Sequence, residues 1–285
     1  MGVLRGRQPQ GRGRSLIRKT VAYASLIFFS FLFLAPFYWM ISTALKSDDE
    51  ILQYPPKWIP DVLHWENFGN AWMSQPFHLY LENSLTVTIL TTIGQLISSS
   101  LVAYGFARFT FKGRDFLFMV VLATMMIPWE VTMIPLYMEF NYLGWINTLK
   151  PLIVPSFFGS AFYIFLMRQF ILTIPRELDE AARIDGAGSF QIYARIIMPL
   201  MMPALILVSV FNILGTWNDY LGPLIFLNDQ SQYTLTLGLA QFKGMYEVEA
   251  TGLMAVTFLI SLPPLLLFFL AQRYIVDNSA GVAIK

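Results

Sequence analysis

Long apolar runs alternate with short charged segments along most of the chain. The first run, residues 21–45, is long enough to cross a hydrocarbon core of roughly 30 Å as a helix. Five later runs are similar, although Glu130 and Asp219 lie inside two of them. These runs cover about residues 83–107, 116–138, 151–170, 203–227 and 250–273. The pattern predicts an all-α integral membrane protein with six transmembrane helices.

A cleavable signal peptide is an alternative interpretation of the first run. The apolar region of such a peptide would be shorter and would end in small residues. Here the run ends in Trp39, Met40 and Ile41. We therefore interpret residues 21–45 as a permanent span.

Composition supports a membrane protein and excludes some kinds of site. Hydrophobic residues make up 56% of the chain and charged residues 13%, against roughly 25% charged in soluble domains. A soluble domain of this length could not bury so much apolar surface. Because the chain has no cysteine, disulfides and thiolate metal ligands are excluded. The net charge of +1 indicates no particular partner, and no feature suggests nucleic acid.

Lysine and arginine are distributed unequally between the two sides of the predicted membrane. If the N-terminus is cytoplasmic, all but four of the 19 lysines and arginines lie on the cytoplasmic side. They are in the N-terminal tail, in the second and fourth loops between spans, and near the C-terminus. The four on the other side are Lys46, Lys57, Lys150 and Lys243. Because cytoplasmic loops carry the excess of these residues, both termini are expected in the cytoplasm. Residues 1–20 then form a basic cytoplasmic tail, and 21–285 form the transmembrane domain.

The segment from Lys46 to Glu82 is rich in proline, tryptophan and acidic residues. This composition predicts a structured extracytoplasmic loop rather than a linker. It contains the only two histidines of the chain, His64 and His78. Because zinc sites usually need three or four ligands, two surface histidines are favoured over a metal site, and no metal is expected.

The most strongly charged segment in the second half of the chain is 177–187. Acidic residues at its start favour the positive end of a helix dipole, and Gly186 supplies a helix stop. Ser189 is then expected to cap a second helix, and Pro199 to end it. The spacing predicts two short helices joined by a glycine turn over 175–199, with the polar side available for docking.

This segment resembles the signature loop of permease subunits in ATP-binding-cassette importers. That pattern is Glu-Ala-Ala, three residues, Gly, nine residues, Ile, one residue and Leu-Pro. Every spacing is kept here, and Met198 replaces the usual leucine. The matching residues are Glu180, Ala181, Ala182, Gly186, Ile196, Met198 and Pro199.

Further similarity indicates the carbohydrate branch of the family. Thr216–Tyr220, Tyr233–Leu239 and the ending Gln272–Val276 with Ala280–Val282 resemble the shorter, second permease of maltose-type systems. The similarity covers most of 26–285. It departs at 277–279, where Asp-Asn-Ser replaces the usual basic or glycine residues.

The resemblance implies a type I importer fold, a set of partners and a mechanism. A second permease subunit would complete the path, and an ATPase dimer would hold one signature loop from each permease. An extracytoplasmic binding protein would deliver the sugar. The chain itself has no Walker-type phosphate loop, so ATP and Mg²⁺ would be bound by the partner and this chain is not expected to be an enzyme. The setting would be the inner membrane of a bacterium or archaeon.

Three groups of residues are candidates for these roles. The ATPase-coupling residues implied by the resemblance are Glu180, Ala181, Ala182, Asp185 and Gly186. Polar and aromatic residues of the fifth span are candidates for the substrate path: Asn212, Trp217, Asn218 and Asp219. The last external loop resembles the one that reaches into the binding protein: Asn228, Asp229, Gln232 and Tyr233.

Placing an acidic residue inside a membrane costs free energy, and such residues are often functional. Glu130 and Asp219 are therefore further candidates. Either could hydrogen-bond sugar hydroxyls, or could cap a helix end near the interface. Capping is favoured for Glu130, and both interpretations stay open for Asp219.

Other function classes are less consistent with the sequence. A secondary transporter usually has internal repeats and ion-coupling residues near the midplane, and neither is evident. The motifs His-Glu-x-x-His and Gly-x-Ser-x-Gly of membrane enzymes are absent. A purely structural or receptor role would leave the spacing from Glu180 to Pro199 unexplained.

Overall fold

The computed structural model describes the backbone of residues 12–240 and 250–282, and the side chains of 18–240 and 250–272. Every regular element in these ranges is helical, as predicted. The α-helices are α1 (Arg12–Ala44), α2 (Asp48–Ile51), α3 (Glu66–Ser74), α4 (Phe77–Arg108), α5 (Arg114–Thr124), α6 (Trp129–Tyr142), α7 (Lys150–Ile153), α8 (Ala161–Thr173), α9 (Glu177–Ile184), α10 (Ser189–Ile192), α11 (Met198–Leu200), α12 (Met202–Trp217), α13 (Leu221–Phe226), α14 (Leu235–Leu239) and α15 (Ala250–Val282). Short 3-10 helices cover Val154–Phe158 and Gln230–Gln232, and a π-helical turn covers Tyr193–Ile197.

Four helical segments are long and apolar enough to cross a membrane: Arg18–Ala44, Phe77–Arg108, Lys150–Thr173 and Ala250–Gln272. Two further pairs of helices pass the same criteria together but are sharply bent. The bend between α5 and α6 is 93°, and that between 189–200 and α12 is 75°. Within the described ranges the number of candidate spans is therefore four, or six if each bent pair is one span.

Three predicted spans are not single continuous helices. The predicted span 151–170 contains α7, the 3-10 helix Val154–Phe158 and α8, with a break at residues 159–160. In the predicted span 116–138, α5 ends at Thr124 and α6 begins at Trp129, after Pro128 in an extended conformation. Proline lacks the N–H that would continue the helix, which explains the break. In the predicted span 203–227, α12 ends at Trp217 and the separate helix α13 begins at Leu221.

The described residues divide into two compact units, 12–71 with 250–258 and 72–240 with 259–282. In the first unit, the segment after α1 is folded back and well bonded. The Asn67 side chain donates to the carbonyls of Ala44 and Lys46 at 2.9 and 2.8 Å, and Thr251 donates to Asp48 at 2.9 Å. The segment from Lys46 to Ala71 is thus structured, as predicted.

The two histidines show no arrangement suited to a metal. His64 contacts Glu66 at 2.7 Å. Among the residues that the structure describes, no three His, Asp or Glu side chains lie close enough together to hold a metal ion.

In the second unit, α4 is the central helix and contacts α8 and α12. Small residues allow close approach, because a Cβ atom at Gly94 would lie 2.6 Å from the Ser156 hydroxyl. Polar side chains inside the unit also bond to one another. The Asn212 amide on α12 donates to Thr91 and Thr92 on α4, at 3.2 and 3.0 Å. The two ends of α4 carry the contacts of the candidate sites.

Candidate functional site: the coupling segment and the helix beneath it

Residues 175–199, called the coupling segment below, form two short helical stretches joined by a tight turn at Gly186. The backbone N–H of Gly186 donates to Arg183 at 3.0 Å, and that of Ala187 to Ala182 at 2.8 Å. This pair of bonds is a Schellman motif, which requires a left-handed residue after the helix. Gly186 has φ +84°, the conformation that glycine adopts without steric cost. The predicted glycine stop is confirmed.

The second helical stretch differs from its prediction at both ends. Ser189 is its first helical residue and not its cap, because Gly188 precedes the helix in an extended conformation. The Gln191 side chain accepts the Gly188 N–H at 2.9 Å. Pro199 does not end the helix, which continues to Leu200 before the break at Met201. Proline is tolerated there because it lies in the first turn after the π-helical turn.

The two faces of α9 have opposite environments. Asp179 and Ala182, three residues apart, are buried against the rest of the unit. Glu180, Ala181, Asp185 and Gly186 are exposed, and nothing lies within 4 Å of a Cβ atom built on Gly186. Large apolar side chains share this exposure, most of all Ile184 on α9 at 87% and Phe190 on the neighbouring α10 at 71%. An exposed surface that combines charges with large apolar side chains is typical of a protein interface.

A buried ion pair connects the inner face of α9 to α4. Asp179 Oδ2 lies 2.9 Å from Arg108 Nε, and the two side chains are 5% and 2% exposed. Arg108 is the last residue of α4, and its Nη2 also donates to the carbonyl of Ile174 at 3.0 Å. That carbonyl lies between α8 and α9. One side chain thus binds both the entry to the coupling segment and its first helix.

Two tyrosine contacts attach the second stretch to the same end of α4. The Tyr104 hydroxyl donates to the Ser189 carbonyl at 3.1 Å, and the Tyr193 hydroxyl lies 2.7 Å from Ser100 Oγ. Around these bonds is a continuous apolar cluster that includes Ala107, Ile171, Ile174, Ala182, Ile192, Ile197, Met201 and Leu205. The coupling segment is therefore fixed from within, while its outer face stays open.

Sequence reasoning did not find the roles of Arg108, Asp179, Tyr104 and Tyr193. One signal was present: Asp179 lies three residues before the small apolar Ala182, so the two share one face of the helix. A carboxylate on that face needs a buried partner. The sequence gave no indication of which of the many basic residues would supply it.

The candidate path residues are in different environments. Asn212 is buried against α4, and the Trp217 indole N–H donates to the Ile260 carbonyl at 3.1 Å with only 5% of the residue exposed. Asn218 is exposed and donates to Leu214 of its own helix at 2.8 Å. Asp219 is half-buried, and its Oδ1 accepts the Gly222 N–H at 3.2 Å at the start of α13. Asp219 also borders a cavity of about 370 Å³ together with Trp129, Leu152 and Phe226.

Glu130 lies in the first turn of α6 and is exposed. A carboxylate at this position interacts favourably with the helix dipole. The capping interpretation that was favoured for Glu130 stays a prediction.

The last loop is attached to the opposite end of α4 from the coupling segment. The Asn83 side chain donates to the carbonyls of Ser231 and Tyr233 at 2.9 and 3.0 Å, and Ser84 accepts the Leu235 N–H at 2.8 Å. Asn228 and Asp229 are exposed, and both donate their backbone N–H to Asn147 Oδ1, at 3.0 and 2.8 Å.

Within this loop, hydrogen bonds from Ser231 lower the pKa of Asp229, so its carboxylate is charged at neutral pH. Gln232 and Tyr233 are half-buried. The part of the loop from 241 to 249 lies outside the described residues.

The chain is similar in sequence to known membrane transport proteins. Residues 95–278 match the family described as binding-protein-dependent transport system inner membrane component. The chain is 32% identical over 261 residues to the diacetylchitobiose uptake system permease protein NgcG of Streptomyces coelicolor, covering 90% of this chain and 86% of that protein. It is 33% identical over 259 residues to the arabinooligosaccharides transport system permease protein AraQ of Bacillus subtilis, covering 90% and 92%.

The fold is also shared with a solved structure. A chain in the crystal structure of a bacterial ABC transporter involved in the import of the acidic polysaccharide alginate superposes with a TM-score of 0.81 at 22% identity. The superposition covers 94% of this chain and 99% of that one. Sequence and fold together show that this multi-pass membrane protein belongs to the family of inner-membrane components of binding-protein-dependent transport systems.

Proposed function

We propose that the chain is the transmembrane subunit of an ATP-driven, binding-protein-dependent importer of sugars. It forms half of the translocation path and contacts a cytoplasmic ATPase through Glu180–Gly186. The observation that carries this proposal is the coupling segment, whose inner face is fixed to α4 while its outer face exposes Glu180, Ile184 and Asp185. The names of the relatives NgcG and AraQ, which mention diacetylchitobiose and arabinooligosaccharides, support a sugar as the solute.

The partners follow from this role. A second permease subunit completes the path, and an ATPase dimer binds ATP and Mg²⁺. An extracytoplasmic binding protein delivers the sugar. The large exposed apolar side chains of α1 and of the bent pair α5–α6, such as Phe31, Phe33, Met126 and Met138, suit lipid and the second permease.

The test of this function is purification of the tagged chain with its native partners, followed by reconstitution in proteoliposomes. We expect a nucleotide-hydrolysing subunit to copurify. Uptake of labelled lactose, diacetylchitobiose or arabinooligosaccharides is expected to require both ATP inside and the binding protein outside. Purification without an ATPase, or ATP-independent uptake, would contradict the proposal.

We propose that four residues contribute to the translocation path, two by shaping it and two by contacting the sugar: Asn212, Trp217, Asn218 and Asp219. Asn212 and Trp217 are buried in side-chain packing and would shape the path. Asn218 is exposed, and Asp219 keeps a carboxylate oxygen beside a cavity, so these two are better placed to meet sugar hydroxyls.

On the other side of the membrane, we propose that Asn228, Asp229, Gln232 and Tyr233 contact the binding protein. The support for this is the exposure of Asn228 and Asp229, the charge of Asp229 and the anchoring of the loop on Asn83 and Ser84. A loop tip held by a rigid base is suited to recognition.

The orientation that we propose places residues 1–20, the coupling segment 175–199 and the C-terminus in the cytoplasm. Because the chain has no cysteine, single cysteines give labelling without background. In intact cells, an impermeant thiol reagent is expected to label Asp61→Cys and Gln232→Cys, and not Arg12→Cys or Gly188→Cys. Permeabilisation is expected to make Gly188→Cys reactive. Labelling of Gly188→Cys in intact cells would reverse the orientation and remove the ATPase contact.

A further inference from the structure

The ion pair between Arg108 and Asp179 is unusual because both charges are almost completely buried in an apolar cluster. Their side chains are 2% and 5% exposed, beside Ala107, Ile174 and Ala182. Within the described part of the chain, neither Asp179 Oδ1 nor Arg108 Nε has a hydrogen-bond partner, so the two charges attract each other at 2.9 Å without an aligned hydrogen bond. A buried pair of this kind gains little stability over two apolar side chains of similar size.

What such a pair does provide is a fixed position for the two buried charges. The guanidinium of Arg108 is a planar group with fixed donor directions. Its Nη2 donates a hydrogen bond to the Ile174 carbonyl at 3.0 Å, and its Nε lies 2.9 Å from Asp179 Oδ2 as a contact between opposite charges. Apolar contacts alone would allow α9 to slide or rotate on α4. The two contacts of Arg108 fix the position of α9 relative to the end of α4, because moving α9 would separate two buried charges or leave the buried Ile174 carbonyl without its donor.

The helix that ends at Arg108 also holds the external loop. Counting about 1.5 Å per residue, Arg108 lies roughly 38 Å along α4 from Asn83, which binds Ser231 and Tyr233. No proline interrupts α4 between these residues. One continuous helix therefore joins the surface proposed for the ATPase to the loop proposed for the binding protein.

We propose that Arg108 and Asp179 are a positioning pair that makes α9 and α4 move as one body. This inference rests on the proposed function. It adds the two residues that transmit a movement of α9, when α9 is bound to the ATPase, to the helix α4 and so to the translocation path. Glu180 and Asp185 provide the outer contact of α9, and Asp179 provides the inner one. Without the inner contact, the ATPase would still bind and hydrolyse ATP, but its movement would be taken up by slippage of α9.

The deciding experiment uses Asp179→Asn in the complete complex, since asparagine has the same shape but no charge. Arg108 then stays buried without a counter-ion. We expect the ATPase to copurify in parental amount and basal hydrolysis to stay within about twofold. The number of ATP molecules hydrolysed per sugar transported is expected to rise by about fivefold or more, equivalent to roughly 1 kcal/mol of lost coupling. A matched control is Glu177→Gln, which removes an exposed carboxylate from the same helix and is expected to behave as the parent.

A second variant keeps the test decisive if Asp179→Asn fails to assemble. Arg108→Lys keeps a positive charge but has no forked group to bind Asp179 and Ile174 together. It is expected to raise the ATP-to-sugar ratio in the same direction. The double variant Arg108→Met/Asp179→Leu removes both charges, restores packing and is expected to assemble fully but to stay poorly coupled.

The outcomes separate this inference from the proposed function. If the parental complex transports no sugar of the panel and its ATPase does not respond to the binding protein, the proposed function fails. If the parent transports and the assembled variants keep its ATP-to-sugar ratio, the positioning role is wrong. A merely structural role would lower the amount of complex without changing that ratio.

Discussion

Valine at position 186 is expected to abolish sugar uptake while the protein still inserts into the membrane. Gly186 has φ +84° and closes the Schellman turn between α9 and α10. An L residue in the left-handed region costs roughly 1–2 kcal/mol, and a β-branched residue tolerates this region least. No atom lies within 4 Å of a Cβ built at this position, so the added Cβ itself meets no clash inside the chain. The damage is confined to the shape of the exposed surface and to what docks on it.

The Gly186→Asn variant separates backbone strain from bulk. Asparagine adopts the left-handed conformation more readily than other residues, so the turn is expected to persist. If strain alone matters, Gly186→Asn recovers most of the uptake. If the cleft of the ATPase excludes any side chain at this point, both variants lose ATPase copurification. Parental uptake by Gly186→Val at parental expression would show that this turn is not the coupling device.

Charge reversal at Glu180 tests the same surface without altering its backbone. Glu180 is exposed on α9, next to the buried Asp179 but facing away from it. Glu180→Lys is therefore expected to leave the α4 contacts intact and to weaken ATPase binding by about tenfold or more, as for a charged contact at an interface. The measurement is pull-down of the ATPase at matched amounts of membrane-inserted chain.

How much of this site follows from the sequence depends on the range of the interactions. Gly186 was predicted correctly because a Schellman turn is a local motif that a glycine at the end of a helical pattern indicates. The ends of the second helical stretch were predicted less well. Gln191 bonds back to Gly188, and a π-helical turn carries the helix past Pro199. Both features are local, but the preferences of single residues for helix ends do not indicate which of several possible ends the helix adopts.

The contacts that fix the coupling segment could not be predicted from the sequence. Arg108 and Asp179 are 71 positions apart, and Tyr104 and Ser189 are 85 apart. Hydropathy located the apolar runs well, since membrane spanning depends on composition along one segment. It could not show that Pro128 divides one run into two helices at 93°, or that Asp219 lies at the start of a separate helix. Which residues pair across helices is set by packing, and one sequence does not contain that information.

A methyl group at position 238 is expected to disconnect the external loop from α4. A Cβ atom on Gly238 would lie 2.2 Å from Tyr80 Cδ2 and 2.4 Å from Cε2. Tyr80 is completely buried, and its ring packs against Phe77 and Tyr233 at centroid distances of 5.3 and 6.1 Å. Because the ring has no space to move into, α14 must shift away from α4. Overpacking of this kind typically costs about 1–3 kcal/mol.

The expected functional result of Gly238→Ala is a loss of the response to the binding protein. Displacement of α14 strains the bonds from Asn83 to Ser231 and Tyr233, which hold the base of the loop. The coupling segment lies at the other end of α4, so ATPase copurification and basal hydrolysis are expected to persist. Stimulation of hydrolysis by sugar-loaded binding protein, and uptake with it, are expected to fall by about tenfold.

Two comparisons make the Gly238→Ala result specific. Gly215→Ala on α12 adds the same methyl group where no atom lies within 4 Å, and it is expected to leave stimulation unchanged. Asn83→Ala removes two hydrogen bonds without a clash and is expected to cause a smaller loss in the same direction, because each such bond contributes roughly 1 kcal/mol. If Gly238→Ala assembles and is stimulated like the parent, attachment of this loop to α4 has no part in signalling. A loss of basal hydrolysis equal to the loss of stimulation would instead show that the damage reaches the ATPase contact, and would contradict the separation of the two ends of α4.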